Sequence, residues 1–297
     1  MQFAVTLVAP PDAVFVPETV VVHALEAEGL RVAGRNVLGE RAVDLKVEAA
    51  DGALPGLRRL VEAAVRFFPL DTCVQPWGGR RKRLLVADMD STIIGCECLD
   101  ELADFAGVKD EVAAITERAM RGELEFEAAL RERVAMIKGL PLSDLERCFE
   151  ERVRLNPGAR TLVRTMAASG ARCVLVSGGF TFFTAKVAEL AGFHAAKANW
   201  LKVEGDALTG EVGEPILGRE AKLQALVEEA AGLGVGSDQA LAIGDGANDL
   251  GMIEAAGLGV AYRAKPVVAE RAAARVEGAD LTAVLHFQGY REDEFVK

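Results

Sequence analysis

Residues 3–9 form an apolar run of strand length. Residues 18–29 place apolar side chains at helical intervals and stop on a glycine, a common helix end. Residues 31–37 and 42–48 alternate apolar and polar positions around Gly39-Glu40, as half-buried strands do. An amphipathic helix is predicted over 54–67 and a short strand over 72–75. The order βαββαβ is that of a ferredoxin-like α+β unit, expected over residues 1–77.

Gly78-Gly79-Arg80-Arg81-Lys82-Arg83 interrupts this pattern and is expected to be a solvated basic linker. An apolar run at 84–87 follows. From 99 to about 155 the periodicity is almost wholly helical; apolar runs then return at 173–176, 241–244 and 258–261, with helical segments between them. Alternating βα units predict an α/β fold with a mostly parallel sheet and helices on both faces. The helical block, 94–155, is then a cap inserted into a core made of 78–93 and 156–297. The charged end, 290–297, is expected to be a loose tail.

Composition narrows the function classes. Of 297 residues, 51% are hydrophobic and 27% charged, enough for a sizeable core. The net charge of −11 disfavours nucleic acid and other polyanionic partners, and 6% aromatic content leaves few stacking surfaces for single strands. No apolar stretch approaches the ~20 residues of a membrane span. The amino terminus has no basic segment before its apolar run, so no signal peptide is expected. Cys73, Cys96, Cys98, Cys148 and Cys173 show no paired framework, which fits a reduced, cytoplasmic setting. Cys96-Glu97-Cys98 has no second Cys/His cluster to complete a metal site, and His23, His194 and His286 are scattered.

Chemistry gathers where three apolar runs end, and ligands of open parallel sheets bind beyond the carboxyl ends of the strands. The first run ends at Asp88-Met89-Asp90-Ser91-Thr92, the second at Ser177-Gly178-Gly179, the third at Asp245-Gly246-Ala247-Asn248-Asp249. Asp88 is a candidate nucleophile and Asp90 a candidate acid and base. Magnesium takes hard oxygen ligands; Asp88, Asp245 and the backbone carbonyl of Asp90 could supply them. Ser177, the N–H groups after it, a helix start near Phe180 and Lys222 could stabilise an anion. Together these are the parts of a phosphoryl-transfer site.

These four segments resemble, in order, the motifs of the haloacid dehalogenase superfamily, with Lys222 as the third. Within it the chain resembles the phosphoserine phosphatase family over roughly residues 83–290. That resemblance implies a HAD-like Rossmannoid core, a Mg2+ cofactor and hydrolysis of O-phospho-L-serine through an aspartyl-phosphate, the last step of serine biosynthesis. It implies Asp88 and Asp90 as catalytic residues, and Asp88, Asp90 and Asp245 as metal ligands supported by Asp249. Glu97 matches the residue that binds the substrate ammonium and Arg133 the one that binds its carboxylate. Met120 and Phe126 match pocket-lining residues; Ser177, Gly178, Lys222 and Asn248 match phosphate contacts. Residues 1–77 resemble ACT-like modules. Serine binding, homodimer formation and simple packing stay open as their role.

The cap arginine can be read without the family. Phe126, Leu130, Arg133 and Ile137 fall on one helical face, so Arg133 sits in an apolar stripe and needs an anion. Arg131 points the other way and is expected to pair with Glu127. Asp90 has two jobs of opposite protonation, which predicts a pKa nearer neutrality than that of free Asp. Another small phosphomonoester as substrate, haloacid dehalogenation, and a non-enzymatic amino-acid sensor remain as alternatives.

Overall fold

The computed structural model describes residues 1–13, 16–120 and 123–297, with the side chains of Met120 and Arg219 outside the description. The amino-terminal elements are β1 (Gln2–Val8), α1 (Glu18–Ala27), β2 (Arg31–Gly39), β3 (Ala42–Glu48), α2 (Leu54–Val65) and β4 (Asp71–Pro76). After β5 (Leu84–Ala87) come four helices, α3 (Cys98–Phe105), α4 (Lys109–Met120), α5 (Phe126–Met136) and α6 (Leu142–Arg152). The chain continues through α7 (Ala159–Ala168), β6 (Arg172–Phe180), α8 (Thr181–Ala191), β7 (Ala195–Asn199), β8 (Leu201–Glu204), β9 (Ala207–Val212) and α9 (Arg219–Gly232). It ends with β10 (Ala240–Gly244), α10 (Leu250–Ala255), β11 (Leu258–Tyr262), α11 (Pro266–Ala269), β12 (Ala274–Val276) and α12 (Ala283–Phe287).

Strands β12-β11-β10-β5-β6-β7 lie side by side and parallel. Their apolar runs are continuous because both faces are covered. Alternate residues feed two different cores. Leu84, Val86, Val174, Val176, Ala240 and Ala242 pack with Leu226, Met252 and Ile253 of α9 and α10. Leu85, Ala87, Cys173, Leu175, Leu241 and Ile243 pack with Leu162, Val163, Met166 and Phe183 of α7 and α8. A fully buried Val or Leu contributes about 1.5–3 kcal/mol, so a one-residue slip would exchange both faces at once.

The amino-terminal strands pair antiparallel in the order β2-β3-β1-β4, and α1 and α2 cover one face through Val21, Leu25, Leu57 and Val61. Two expectations change here. The strand at 42–48 was expected to be half-buried, yet β3 is buried on both faces over most of its length, Asp44 included. Asp44 accepts hydrogen bonds from Thr6 Oγ1 (2.6 Å) and Arg80 Nη2 (2.8 Å). The sheet also does not stop at β4. Cys73 bridges Ala274 of β12, making one ten-stranded sheet.

The basic segment 78–83 is not solvated along its length. Arg80 pairs with Asp44, Lys82 Nζ donates to the carbonyls of Gly79 and Asp238, and Arg81 pairs with Glu294. The charged end is packed rather than loose. Tyr290 is buried, Glu292 accepts the Glu40 N–H, and Val296 N–H donates to Thr165. Polar segments of this kind are held in place by pairing, which hydropathy does not register.

The segment expected to be a helical cover forms α3–α6, and Phe126 at the start of α5 reaches Gly178 near the end of β6. The β8–β9 hairpin completes this cover: Gly139 N–H donates to Leu208 O, and Leu142 N–H to Asp206 O. No helix among the described residues is long and apolar enough to cross a membrane.

Candidate active site

The register sets Ala87 beside Ile243 and Leu175, so the next residue, Asp88, emerges between two neighbouring strand ends. Its N–H donates to Ile243 O at 3.0 Å, continuing the ladder by one bond. The chain then turns sharply. Ile94 N–H reaches back to Met89 O, and Ser91 takes a positive φ of 58°, a costly position for a residue with a side chain. Asn156 Nδ2 holds the far side of this turn through the carbonyls of Thr92 and Ile94. The turn aims Asp88 and Asp90 at different partners.

Asp88 is 5% exposed and faces Lys222, which is 3% exposed. Lys222 Nζ lies 2.6 Å from Asp88 Oδ1 and 2.6 Å from Asp249 Oδ1. The other oxygen of Asp249 accepts the N–H groups of Asp245 and Gly246. Gly244 is a glycine because a Cβ there would collide with the Asp249 carboxylate. Carboxylate oxygens of Asp88, Asp245 and Asp249 all lie within 4.8 Å of one another. One buried ammonium paired with two of three clustered carboxylates leaves excess negative charge. Burial, followed by Asp249, raises the Asp88 pKa, while Lys222 opposes the rise. Burial, Asp249 and Glu97 push Asp245 up to about 6. Lys222 is held above its usual value because Asp88 and Asp249 outweigh the cost of burial. The donors are hard oxygens and the local charge is uncompensated, so the residues present fit a divalent cation.

Asp90 looks the other way. Its Oδ1 accepts the Cys98 N–H at 2.9 Å, and its Oδ2 accepts the Ser177 hydroxyl at 3.1 Å. Burial and the nearby Glu97 push its pKa up to about 6, against the Cys98 and Ser177 hydrogen bonds. Ser177 Oγ also accepts the Gly179 N–H at 2.8 Å, and a Cβ on Gly179 would lie 3.0 Å from both Ser177 Oγ and Asp90 Oδ2. Strand β6 runs on through these glycines to Phe180, and α8 starts at Thr181.

The cap contributes the roof. The Phe126 ring comes within 3.5 Å of the position a Cβ on Gly178 would take, and within 3.9 Å of that on Gly218. Arg133 is half-buried; burial lowers its pKa, opposed by Asp100 and Glu97. Its Nε donates to Ala129 O at 3.3 Å, within its own helix. Glu97 accepts the Ser91 hydroxyl at 2.6 Å. Arg131 pairs with Glu214 rather than Glu127, because the loop after β9 passes beside it. Asn248 is half-buried against Gly246. Met120 ends α4, but its side chain and the two residues after it lie outside the described residues.

Three contributors escaped the sequence reading. Thr92 points its hydroxyl at Asp245 Oδ1, 3.4 Å away. Asn156 braces the turn after Asp88. Asn199 joins Gly178 to the loop before α9. Asn199 ends a strand, the rule that located the other sites, but Ala195–Asn199 is too weakly apolar to stand out. A separate groove between α2, β4 and β12 is lined by Arg58, Arg66 and Arg275 against Glu62, Asp71 and Glu277, so it offers no net charge to an anion.

The haloacid dehalogenase-like hydrolase family matches residues 85–254, which includes every strand end described above. The phosphoserine phosphatase of Archaeoglobus fulgidus is 44% identical over 231 residues, 77% of this chain and 66% of that protein. The chain thus spans just under two thirds of that relative's length. The unliganded structure of a probable phosphoserine phosphatase from Vibrio cholerae superposes with a TM-score of 0.78 at 30% identity, covering 97% of this chain and 86% of that one. A phospho-aspartyl intermediate analogue of a phosphoserine phosphatase superposes with a TM-score of 0.65 at 38% identity, covering 70% of this chain and 99% of that one. The chain belongs to the haloacid dehalogenase-like hydrolase family.

Proposed function

We propose that this chain hydrolyses O-phospho-L-serine to L-serine and phosphate, with the phosphoryl group carried transiently on Asp88. One observation carries this: Asp88 sits buried against Lys222 while Asp90, two residues on, is turned to Ser177 on the neighbouring strand end. A nucleophile, a proton carrier and an anion cradle therefore share one opening. The names of the relatives support the substrate.

Asp88 attacks phosphorus in line, and the serine oxygen leaves as it takes the proton from Asp90. Asp90, now a carboxylate, removes a proton from water, and that water releases phosphate from Asp88. A carboxyl near pKa 6 suits both halves of this cycle at neutral pH. Ser177, the Gly178 N–H, Lys222 and Asn248 stabilise the charge on the phosphoryl oxygens. Glu97 takes the substrate ammonium and Arg133 its carboxylate, beneath Phe126. Magnesium, held by Asp88, Asp245 and the Asp90 backbone carbonyl with Asp249 steadying Asp245, would supply neutralising charge and polarise the phosphoryl group.

A place at the end of serine biosynthesis, a cytoplasmic setting and a homodimer through residues 1–77 belong to the same proposal. Phosphate release from phosphoserine, phosphothreonine and a simple phenyl phosphate, each with magnesium and with EDTA, tests the activity. Phosphoserine turned over fastest, and only with metal, supports it; turnover unaffected by EDTA rejects it. Light scattering on the eluting protein tests the dimer.

A further inference from the structure

Asn199 lies at the end of β7, opposite Phe180 at the end of β6, and is 1% exposed. Its amide has three contacts. Nδ2 donates to Gly178 O at 2.8 Å and reaches Leu217 O at 3.5 Å; Oδ1 accepts the Leu217 N–H at 2.7 Å. The peptide between Gly178 and Gly179 is thereby gripped at both poles. Its carbonyl is held by Asn199 and its N–H by Ser177 Oγ, which in turn donates to Asp90. Consecutive glycines are the least restrained backbone a chain can offer. A cradle built from them needs an outside hold to present its N–H groups in one direction.

The second half of the grip is as specific. Leu217 immediately precedes Gly218, the residue from which α9 starts, and α9 carries Lys222. Residues 200–216 leave the sheet as the β8–β9 hairpin and return to it, so Asn199 and Leu217 are the two feet of that excursion. One buried amide therefore fixes the glycine turn and the start of the lysine helix in a common frame. On the premise that Ser177–Gly179 cradles phosphate, as proposed above, we infer that Asn199 is a positioning residue. It sets the cradle and Lys222 at the spacing a phosphoryl group requires, without touching the substrate.

Asn199→Asp is the sharp test, because it is isosteric. It keeps the acceptor for Leu217 N–H, removes the donor to Gly178 O and sets two oxygens against each other. Asn199→Ala removes all three contacts. The full-length chain, with magnesium present, is measured by thermal melting, by calorimetric titration with inorganic phosphate, and by kcat and KM for phosphoserine and for p-nitrophenyl phosphate. Both folded variants should lose about tenfold or more in kcat and in phosphate affinity. The ratio of kcat/KM between the two substrates should stay unchanged, since the ammonium and carboxylate contacts are intact. A folded Asp variant whose kcat and phosphate affinity stay within about twofold of the parent overturns the inference. So does an Asp variant that cannot fold, since Asn199 would then be structural only. A parent that binds inorganic phosphate but spares phosphoserine would fail the substrate proposal alone, with the titration still deciding on Asn199. A parent that binds no phosphate removes both.

Discussion

Among the described residues, buried carboxylates occur in two regions and are treated in opposite ways. At the junction between the amino-terminal strands and the core, Asp44 meets Thr6 and Arg80, and Asp71 accepts N–H groups from Glu277, Gly278 and Ala279. Each charge there has dedicated partners. At the strand ends, Asp88 and Asp249 share Lys222, with the half-buried Asp245 beside them. The junction gives each carboxylate its own donors, whereas the strand-end cluster is short of positive charge. On the function proposed above, that shortage is what draws in a cation and prepares the place for a phosphate.

Substitutions should therefore have opposite signatures in the two places. The largest effect is expected for Asp88→Asn, with kcat for phosphate release falling on the order of 10^4-fold or more. Its melting temperature in EDTA should hold or rise, since one unshielded charge is gone; appreciable turnover would end the nucleophile assignment. Asp44→Ala should do the reverse. Leaving Arg80 buried without its partner costs about 3 kcal/mol, read as a lower denaturation midpoint, with kcat per folded molecule unchanged. If Asp44→Ala lowers kcat as well, the two regions are coupled and the contrast fails.

Arg133→Ala should raise KM for phosphoserine by roughly ten- to a hundredfold, the worth of a charge-assisted pair of about 1.5–3 kcal/mol. An ester without a carboxylate should show no change, and equal effects on both would reject the carboxylate contact. The smallest effect concerns His286, whose pKa is lowered first by burial. Its neutral ring can donate from Nδ1 to Tyr290 O, 3.2 Å away. In the unfolded chain it takes up a proton near pH 6.5, while the folded chain resists until lower pH. Its contribution is thus complete above about pH 6.5 and is lost as pH falls through the lowered folded-state value. Stability should decline by up to about 1.4 kcal/mol per pH unit within that window. His286→Gln should flatten the decline, and a slope unchanged by that substitution would clear His286.

The parallel-sheet half was legible because it is built from strands buried on both faces. Such strands write uninterrupted apolar runs, and whatever follows them stands out, which made Asp88, Ser177 and Asp245 candidates. The sign of the Asp90 shift was also readable, from the two tasks asked of one carboxyl. What stayed hidden is burial achieved by pairing. Arg80 and Lys82 look like surface charges until the partner is known. Arg131 took a partner 83 positions away over the one expected within its helix. Asn199 was missed because its strand, Ala-Ala-Lys-Ala-Asn, has only alanines for an apolar signature.

The continuous sheet also determines how the chain can be divided. Cutting it before residue 78 would strip β12 of its neighbour and lay open the apolar cover beneath Phe287 and Tyr290. An unsatisfied strand border beside fresh oily surface is a template for joining another copy. A shortened fragment of this protein should therefore clump before it loses its fold, and the first seventy-odd residues double as its shield.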